Sequence, residues 1–436
     1  MIRETLAPLR LPGLRLLLLG RTISALGNAF APIALAFAVL DLTGSAGALG
    51  LVVGVRTAVN VLFLLFGGAL ADRLPRHLLM VGASLAAAAT QGAVAALVLT
   101  HTATVPTLVA LSAVNGAVGA LMMPASAAVL PQIVPPDLRQ QANALNRLFL
   151  NGAAILGAPV GGIVVAGIGP GWGIAVDAVT FLAAALCYAL LRLPAGPPPA
   201  VAEPPAGAEP VAGEPVAATP ARSGIVAELR TGWTEFVSRT WLWVVVAGFC
   251  VVNACLSGAF MVLGPVVADA TIGRRAWGLV LAAETAGMIL GALLAMRVRM
   301  RRLLLFGTAC TGFVLLPVLT LGIAPHLAVL CAATFVAGLG VEQFGIAWET
   351  TMQEHIPADK LARVYSYDMV GSFVAIPVGQ VVAGPVAQVV GVRPTLIGAA
   401  VLIAVAVLGM LSSRDVRHLE HRVPERAPAP MEESRA

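Results

Sequence analysis

Arg56, Asp177, Glu284, Glu342, Glu349 and Asp368 are charged side chains set inside long apolar stretches of the chain. A charge at the centre of a membrane helix costs about 2.5–3.5 kcal/mol, so it is kept mainly where it is paired or where it moves an ion. Glu342 lies deep: about 22 Å of helix, at about 1.5 Å per residue, separates it from the helix-ending Pro357. It reads either as a proton or cation site or as a packing residue with its bonds satisfied. Glu349 shares its face two turns nearer Pro357, where a proton site and an ordinary interfacial charge are both open. Arg56 and Glu284 could be gating charges or members of buried helix pairs. These four are the candidates for ion coupling. Asp177 reads as structural. Asn28, Asn115 and Asn253 offer amides that either meet a substrate or bond between helices. None of the histidines lies inside such a stretch, so a coupled proton would have to ride on a carboxylate. The five cysteines fall in apolar runs without metal-ligand spacing, so neither a metal site nor a disulfide framework is expected.

The elements that must position these residues are membrane helices. With 436 residues, 58% hydrophobic and 11% charged, at a mean hydropathy of +0.90, too few charges remain to coat a soluble surface. Apolar runs of about twenty residues predict spans at Leu14–Leu40, Ala46–Ala71, Leu78–Leu99, Pro106–Val129, Asn143–Ile168 and Gly171–Leu191. Six more follow at Trp241–Ala268, Trp277–Met296, Leu303–Ile323, Leu327–Met352, Leu361–Val390 and Pro394–Leu411. The first run is too long for a signal peptide and lacks a small-residue cleavage site at its end. The expected class is all-α: a twelve-helix membrane protein, with a bundle over 1–193 and a second over 241–413. Between them, 194–240 is a cytoplasmic linker, Pro- and Ala-rich and then amphipathic from Gly224 to Thr240. A charged tail covers 414–436.

Orientation follows from arginine. Loops on one side carry Arg3, Arg10, Arg73, Arg76, Arg139 and many more, whereas the other side holds only Arg274, Arg275 and Arg393. The positive-inside rule then places both termini in the cytoplasm, Trp172 and Trp277 at the outer interface, and Trp241 and Trp243 at the inner one. The same distribution explains the formal net charge of +5 without nucleic acid.

The halves repeat each other. Gly50-Leu-Val recurs as Gly278-Leu-Val, and Arg56-Thr-Ala as Glu284-Thr-Ala with the charge inverted. Val134-Pro-Pro-Asp137 recurs as Ile356-Pro-Ala-Asp359, and Pro159-Val-Gly161 as Pro377-Val-Gly379. Four matches in one order point to a duplicated six-helix unit with pseudo-twofold symmetry, the plan of transporters that rock two bundles around a midplane site.

Between the second and third spans stands Gly68-Ala-Leu-Ala-Asp72-Arg73-Leu-Pro75-Arg76-His77. Its glycine permits close helix contact, its aspartate can cap a neighbouring helix, and its arginines fix the turn on the cytoplasmic face. The stretch resembles the signature loop of the major facilitator superfamily, G-x-L-A-D-R-x-G-R-K, with Pro75 in place of the second glycine and His77 in place of lysine. Gly68, Asp72, Arg73 and Arg76 are therefore expected to gate, with Asp368 latching the loop. Within that superfamily the chain resembles bacterial exporters of the drug antiporter type, including macrolide-efflux and siderophore-export proteins. The residues that carry this are Leu16-Leu-Leu-Leu-Gly20-Arg-Thr-Ile-Ser24, Asp41-Leu-Thr-Gly-Ser45, Ala142-Asn-Ala-Leu-Asn146, Asp177-Ala-Val-Thr-Phe181 and Trp348-Glu-Thr350. Gly157, Pro159, Gly161 and Gly162 look like the antiporter motif of helix 5, in which glycines and a proline bend the helix and let backbones approach. The resemblance places Asn28, Asn115 and Asn253 around a central cavity, and Trp348 joins them as a substrate-facing candidate. Two proton-handling positions of related antiporters are neutral here: Ser112 stands where they carry arginine, and Gly27-Asn28 where they carry Gly-Asp.

Neither a phosphate-binding loop nor the motifs of a membrane hydrolase occur. The expected function is secondary transport: export of small amphipathic molecules across a bacterial cytoplasmic membrane in exchange for protons. A lysolipid flippase, a siderophore or metabolite exporter, and a non-transporting receptor or scaffold are the alternatives. No enzyme activity and no cofactor are expected. The expected partners are a small-molecule substrate, protons and the lipid bilayer, with the chain acting as a monomer and without nucleic acid.

Overall fold

In a computed structural model the residues described, 7–71, 76–135, 138–191, 233–295 and 300–421, form helices joined by short turns, with no strand among them. The first six long helices are α1 (Pro12–Thr43), α2 (Ala46–Ala71), α3 (Arg76–Leu99), α4 (Val105–Ile133), α5 (Arg139–Ile168) and α6 (Pro170–Ala189). The next six are α7 (Thr240–Ala270), α8 (Arg274–Ala295), α9 (Leu303–Ile323), α10 (Leu327–His355), α11 (Ala358–Phe373 and Ile376–Val390) and α12 (Val392–Ser412). Each contains a segment long and apolar enough to cross a membrane, and the chain is a multi-pass membrane protein. All twelve expected spans are present. Leucines and valines such as Leu156, Leu186, Val405 and Leu408 stand more than half exposed on the outside, where hydrocarbon rather than water would meet them.

α1 packs on α5 and α6, α3 on α4 and α6, and α2 on α4. Correspondingly, α8 packs on α10, α9 on α10 and α12, and α7 on α11 and α12. The two sets meet along two seams, α2 with α11 and α5 with α8. Both seams depend on the repeated glycines: a Cβ at Gly50 would collide with the Gln380 carbonyl, and one at Gly278 with the Ala158 carbonyl. Thus the Gly-Leu-Val motif of each repeat presses on a residue flanking the Pro-Val-Gly motif of the other. The turns that end α5 and α11 also match, since Gly169 (φ 93°) and Gly391 (φ 96°) both take a backbone conformation that disfavours a side chain.

The aromatic residues divide differently from the expectation. Trp172 and Trp243 are exposed, as interfacial anchors should be. Trp277 is only 2% exposed and fills the space left by Gly264, and Trp241 packs edge-on against Trp348. Packing inside the second helical set claims these two rings. Asp72, Arg73 and nearly all of 194–240 lie outside the described residues, as do Arg297, Arg299 and the tail beyond 421. From the amphipathic segment, 233–237 is helical. Trp233 there lies 5.5 Å from Tyr367, and Glu235 bridges Arg239 and Lys360.

Candidate functional site: a polar cavity among the first six helices

Close helix approach comes first. A Cβ at Gly20 would meet the Tyr188 ring at 2.7 Å, and one at Gly27 would collide with Thr180 and Asp177, so these glycines let α1 lie directly on α6. The residues that follow them, Arg21 and Asn28, are turned by about 100° away from that contact, since a helix makes a turn in 3.6 residues. They face a gap. Gly116 does the same for α4, pressing on the Arg56 carbonyl of α2 while its neighbour Asn115 turns into the gap.

That gap is a cavity of about 500 Å³. Each helix contributes one face to it at helical spacing: Arg21, Ser24 and Asn28 from α1, Arg56 and Asn60 from α2, Asn115 and Met122 from α4. Asn146 and Leu150 of α5, Phe181 and Tyr188 of α6, and Ala83 and Ala87 of α3 also line it. Two guanidinium groups, four amides and a phenol share this space, and among the described residues no carboxylate lines it.

Several of these groups are already tied down. Arg21 Nη1 donates to Asn146 Oδ1 at 2.9 Å, joining α1 to α5. Asn28 donates to the Ser24 carbonyl at 3.0 Å, Asn60 to the Gly116 carbonyl at 3.0 Å, and Asn115 to Thr90 at 3.3 Å. Arg56 has no hydrogen bond or ion pair of its side chain among the described residues, although it is attracted by Asp177. Asp177 lies behind the wall with no exposed surface, accepting from Gln91 Nε2 at 2.5 Å and from Thr180 Oγ1 at 3.4 Å.

The remaining candidates stand elsewhere. Glu284 on α8 has no hydrogen bond or ion pair of its side chain among the described residues. It sits six residues past Gly278, as Arg56 sits six past Gly50, so the two opposite charges hold equivalent places on opposite sides of the molecule. Glu342 is half-buried on α10, within electrostatic range of Arg147 on α5, and Glu349 is exposed. Asn253 donates to the Ser372 carbonyl at 2.9 Å and so links α7 to α11 outside the cavity. Trp348 is buried, stacked beside Phe344, and donates to Asp368 at 3.0 Å; Ser372 donates to the other oxygen of that carboxylate at 3.1 Å. Gly68 lies in the last turn of α2 and Arg76 begins α3, and the loop between them, with the residues expected to meet Asp368, falls outside the described residues. The helix-5 motif lies between two partners. Gly157 and Gly161 face Ala29 and Phe30 of α1, while Gly162 meets the Arg274 and Arg275 carbonyls of α8, with Pro159 inside the helix.

One end of the molecule is pinned. Arg274 of α8 forks onto Asp41 of α1 (2.5 and 3.0 Å), also bonds Asp269 (2.7 Å), and lies 4.8 Å above the Phe37 ring. Gln388 of α11 donates to Ser45 beside it at 2.9 Å. Both contacts join the two helical sets at this end. The cavity extends away from it, toward Arg21 and Tyr188 near the other ends of α1 and α6.

The sequence pattern described as Major Facilitator Superfamily matches residues 17–379. The chain belongs to that superfamily. Its solved relatives in fold include the nucleoside transporter NupG, with a TM-score of 0.70 at 13% identity over 92% of this chain and 100% of that one. A bacterial homolog of the human lysosomal transporter Spinster, in an inward-facing and unoccupied conformation, gives 0.68 at 14% identity over 93% and 97%. An auto-inhibited POT family peptide transporter gives 0.67 at 12% identity over 96% and 99%. No curated protein matches the chain's sequence significantly. At these identities the superfamily fold is what is shared.

Arg21, Asn60, Asn146, Tyr188 and Arg147 were not singled out as site residues by sequence reasoning. The usable signal was periodicity: Arg21, Ser24 and Asn28 are spaced i, i+3, i+7, and Arg56 and Asn60 i, i+4, so each helix carries a polar stripe that a twenty-residue hydropathy average conceals.

Proposed function

We propose that the chain is a secondary active transporter that exports small amphipathic molecules from a bacterial cell by proton antiport, as do the drug antiporters it resembles. The observation that carries this reading is the polar cavity, which combines a size suited to a small molecule with convergent polar groups deep among membrane helices. With both termini cytoplasmic, the pinned Asp41–Arg274 end faces outward and the cavity opens to the cytoplasm. Alternation then requires the α2–α11 and α5–α8 seams to part at that end and close at the other. Glu284 and Glu342 are the proposed proton carriers. Glu284 has no counter-ion among the described residues, so it can take up and release a proton without breaking an ion pair. One proton moving down 100 mV supplies about 2.3 kcal/mol, enough for about a fortyfold substrate gradient.

The test is efflux of amphipathic dyes from energised cells that express the protein, beside Glu284→Gln and Glu342→Gln variants and a protonophore. Efflux that collapses with the protonophore and in at least one variant is the expected result. Efflux that survives all three rejects proton antiport, and an absence of efflux for every dye rejects export of this substrate class.

A further inference from the structure

Charge in the cavity is one-sided. Arg21 and Arg56 line it and, among the described residues, no carboxylate does. Asp177, the acid that attracts Arg56, is fully buried behind the wall with its oxygens engaged by Gln91 and Thr180. Two guanidinium groups against one shielded carboxylate leave the space positive. Such groups are costly among membrane helices, and a planar fork of donors is suited to a carboxylate, sulfonate or phosphate. Leu150 and Phe181 supply an apolar surface in the same cavity.

We propose that the cavity selects an amphipathic organic anion, one acidic group on an apolar body, with the acidic group against Arg21 and Arg56 and the body along Leu150 and Phe181. The proposal rests on the reading of this cavity as the substrate site and adds the sign of the substrate's charge. Asn146 holds Arg21 in place, whereas Arg56 is left to meet the ligand. A cationic molecule would face two like charges across low-dielectric walls, which selects against it.

The experiment uses the purified full chain in lipid nanodiscs and three fluorescent probes that share one ring system: dansylglycine, its neutral amide, and the cation dansylcadaverine. Dansylglycine is expected to bind about tenfold more tightly than the other two, as a charge-assisted hydrogen-bonded pair would give. Arg21→Gln and Arg56→Gln should each weaken dansylglycine about tenfold and leave the amide unchanged, while Arg21→Lys and Arg56→Lys keep a preference for the anion. Variants are compared at equal monodispersity, and the lysine pair keeps the test decisive if a glutamine variant fails to fold. The proposal is overturned if folded wild type binds no dansylglycine, if the amide or the cation binds equally well, or if both glutamine variants retain the preference. Binding is read without a proton gradient, so the two readings fail separately. A surviving anion preference without efflux sinks export, and efflux without any anion preference sinks the anion site.

Discussion

Arg21 of α1 and Asn146 of α5 are joined by a hydrogen bond of 2.9 Å between a guanidinium and an amide oxygen inside the cavity. Asn146→Ala removes that acceptor, and disturbing a buried charged group costs about 1–3 kcal/mol. A lower melting temperature in detergent is expected. Asn146→Asp instead gives Arg21 a carboxylate and neutralises part of the cavity. It should hold or raise the melting temperature while weakening dansylglycine, and an anion affinity unchanged in Asn146→Asp would count against the charge argument.

Asp177 and Arg56 form the second charge relationship. They attract each other without forming an ion pair, so removing one should cost less than the roughly 3–5 kcal/mol of breaking a buried pair in contact. Asp177→Asn is therefore expected to destabilise the protein, and adding Arg56→Gln should recover part of the loss. Thermal unfolding of the two single variants and the double gives the coupling energy, and strict additivity would show that the two charges do not sense each other.

The seams give a steric prediction. Gly278→Val drives a branched side chain into the Ala158 carbonyl and the Pro159 backbone, where overpacking costs about 1–3 kcal/mol. Parting α5 from α8 should expose the pinned end, raising the labelling rate of a cysteine placed at Ser45 by a membrane-impermeant maleimide. Gly92→Ala, which meets nothing within 4 Å, should leave that rate unchanged.

Glu235 adds a pH dependence outside the membrane spans. Hydrogen bonds from Arg239 and Lys360 hold its carboxyl below the ordinary glutamate value. A depressed folded pKa means that the clamp of 233–237 on α11 is fully present above the unfolded value, about 4.3, and is lost as pH falls through the folded one. Amide exchange at 234–238, corrected for its intrinsic rate, should show protection at neutral pH that disappears in acid. Glu235→Gln should lack that protection already at neutral pH, and equal protection in both proteins would remove the clamp.

The twelve helices were legible because hydrocarbon forces every spanning segment to be long and apolar, and that constraint is written residue by residue. The duplication was legible too: Gly50 and Gly278, matched by sequence, each press on a carbonyl beside the matched Pro-Val-Gly motif across a seam, one helical turn apart in register. The cavity was only half legible. Asn28, Asn115 and Arg56 could be named from polarity within apolar runs, but Arg21 and Asn146 were hidden. Asn146, flanked by Leu145 and Arg147, carries no sign of its own, whereas the sign that exposes Arg21 is a glycine beside a polar residue, as in Gly20-Arg21, Gly27-Asn28 and Asn115-Gly116. There the glycine buys helix contact and its neighbour is thereby aimed into the gap. Asn253 and Trp348 have the right chemistry but face neighbouring helices, which depends on packing between segments over a hundred residues apart for Asn253 and on the turn between α10 and α11 for Trp348.

The central claim is that a proton gradient drives a substrate through this cavity. The most direct measurement is flux of dansylglycine in proteoliposomes with an imposed pH difference, recorded for wild type and for Glu284→Gln. The account predicts accumulation on the acidic side that follows the gradient, reverses when the gradient is reversed, and is lost in the variant. Movement that ignores the gradient, or that persists unchanged in both Glu284→Gln and Glu342→Gln, would contradict it.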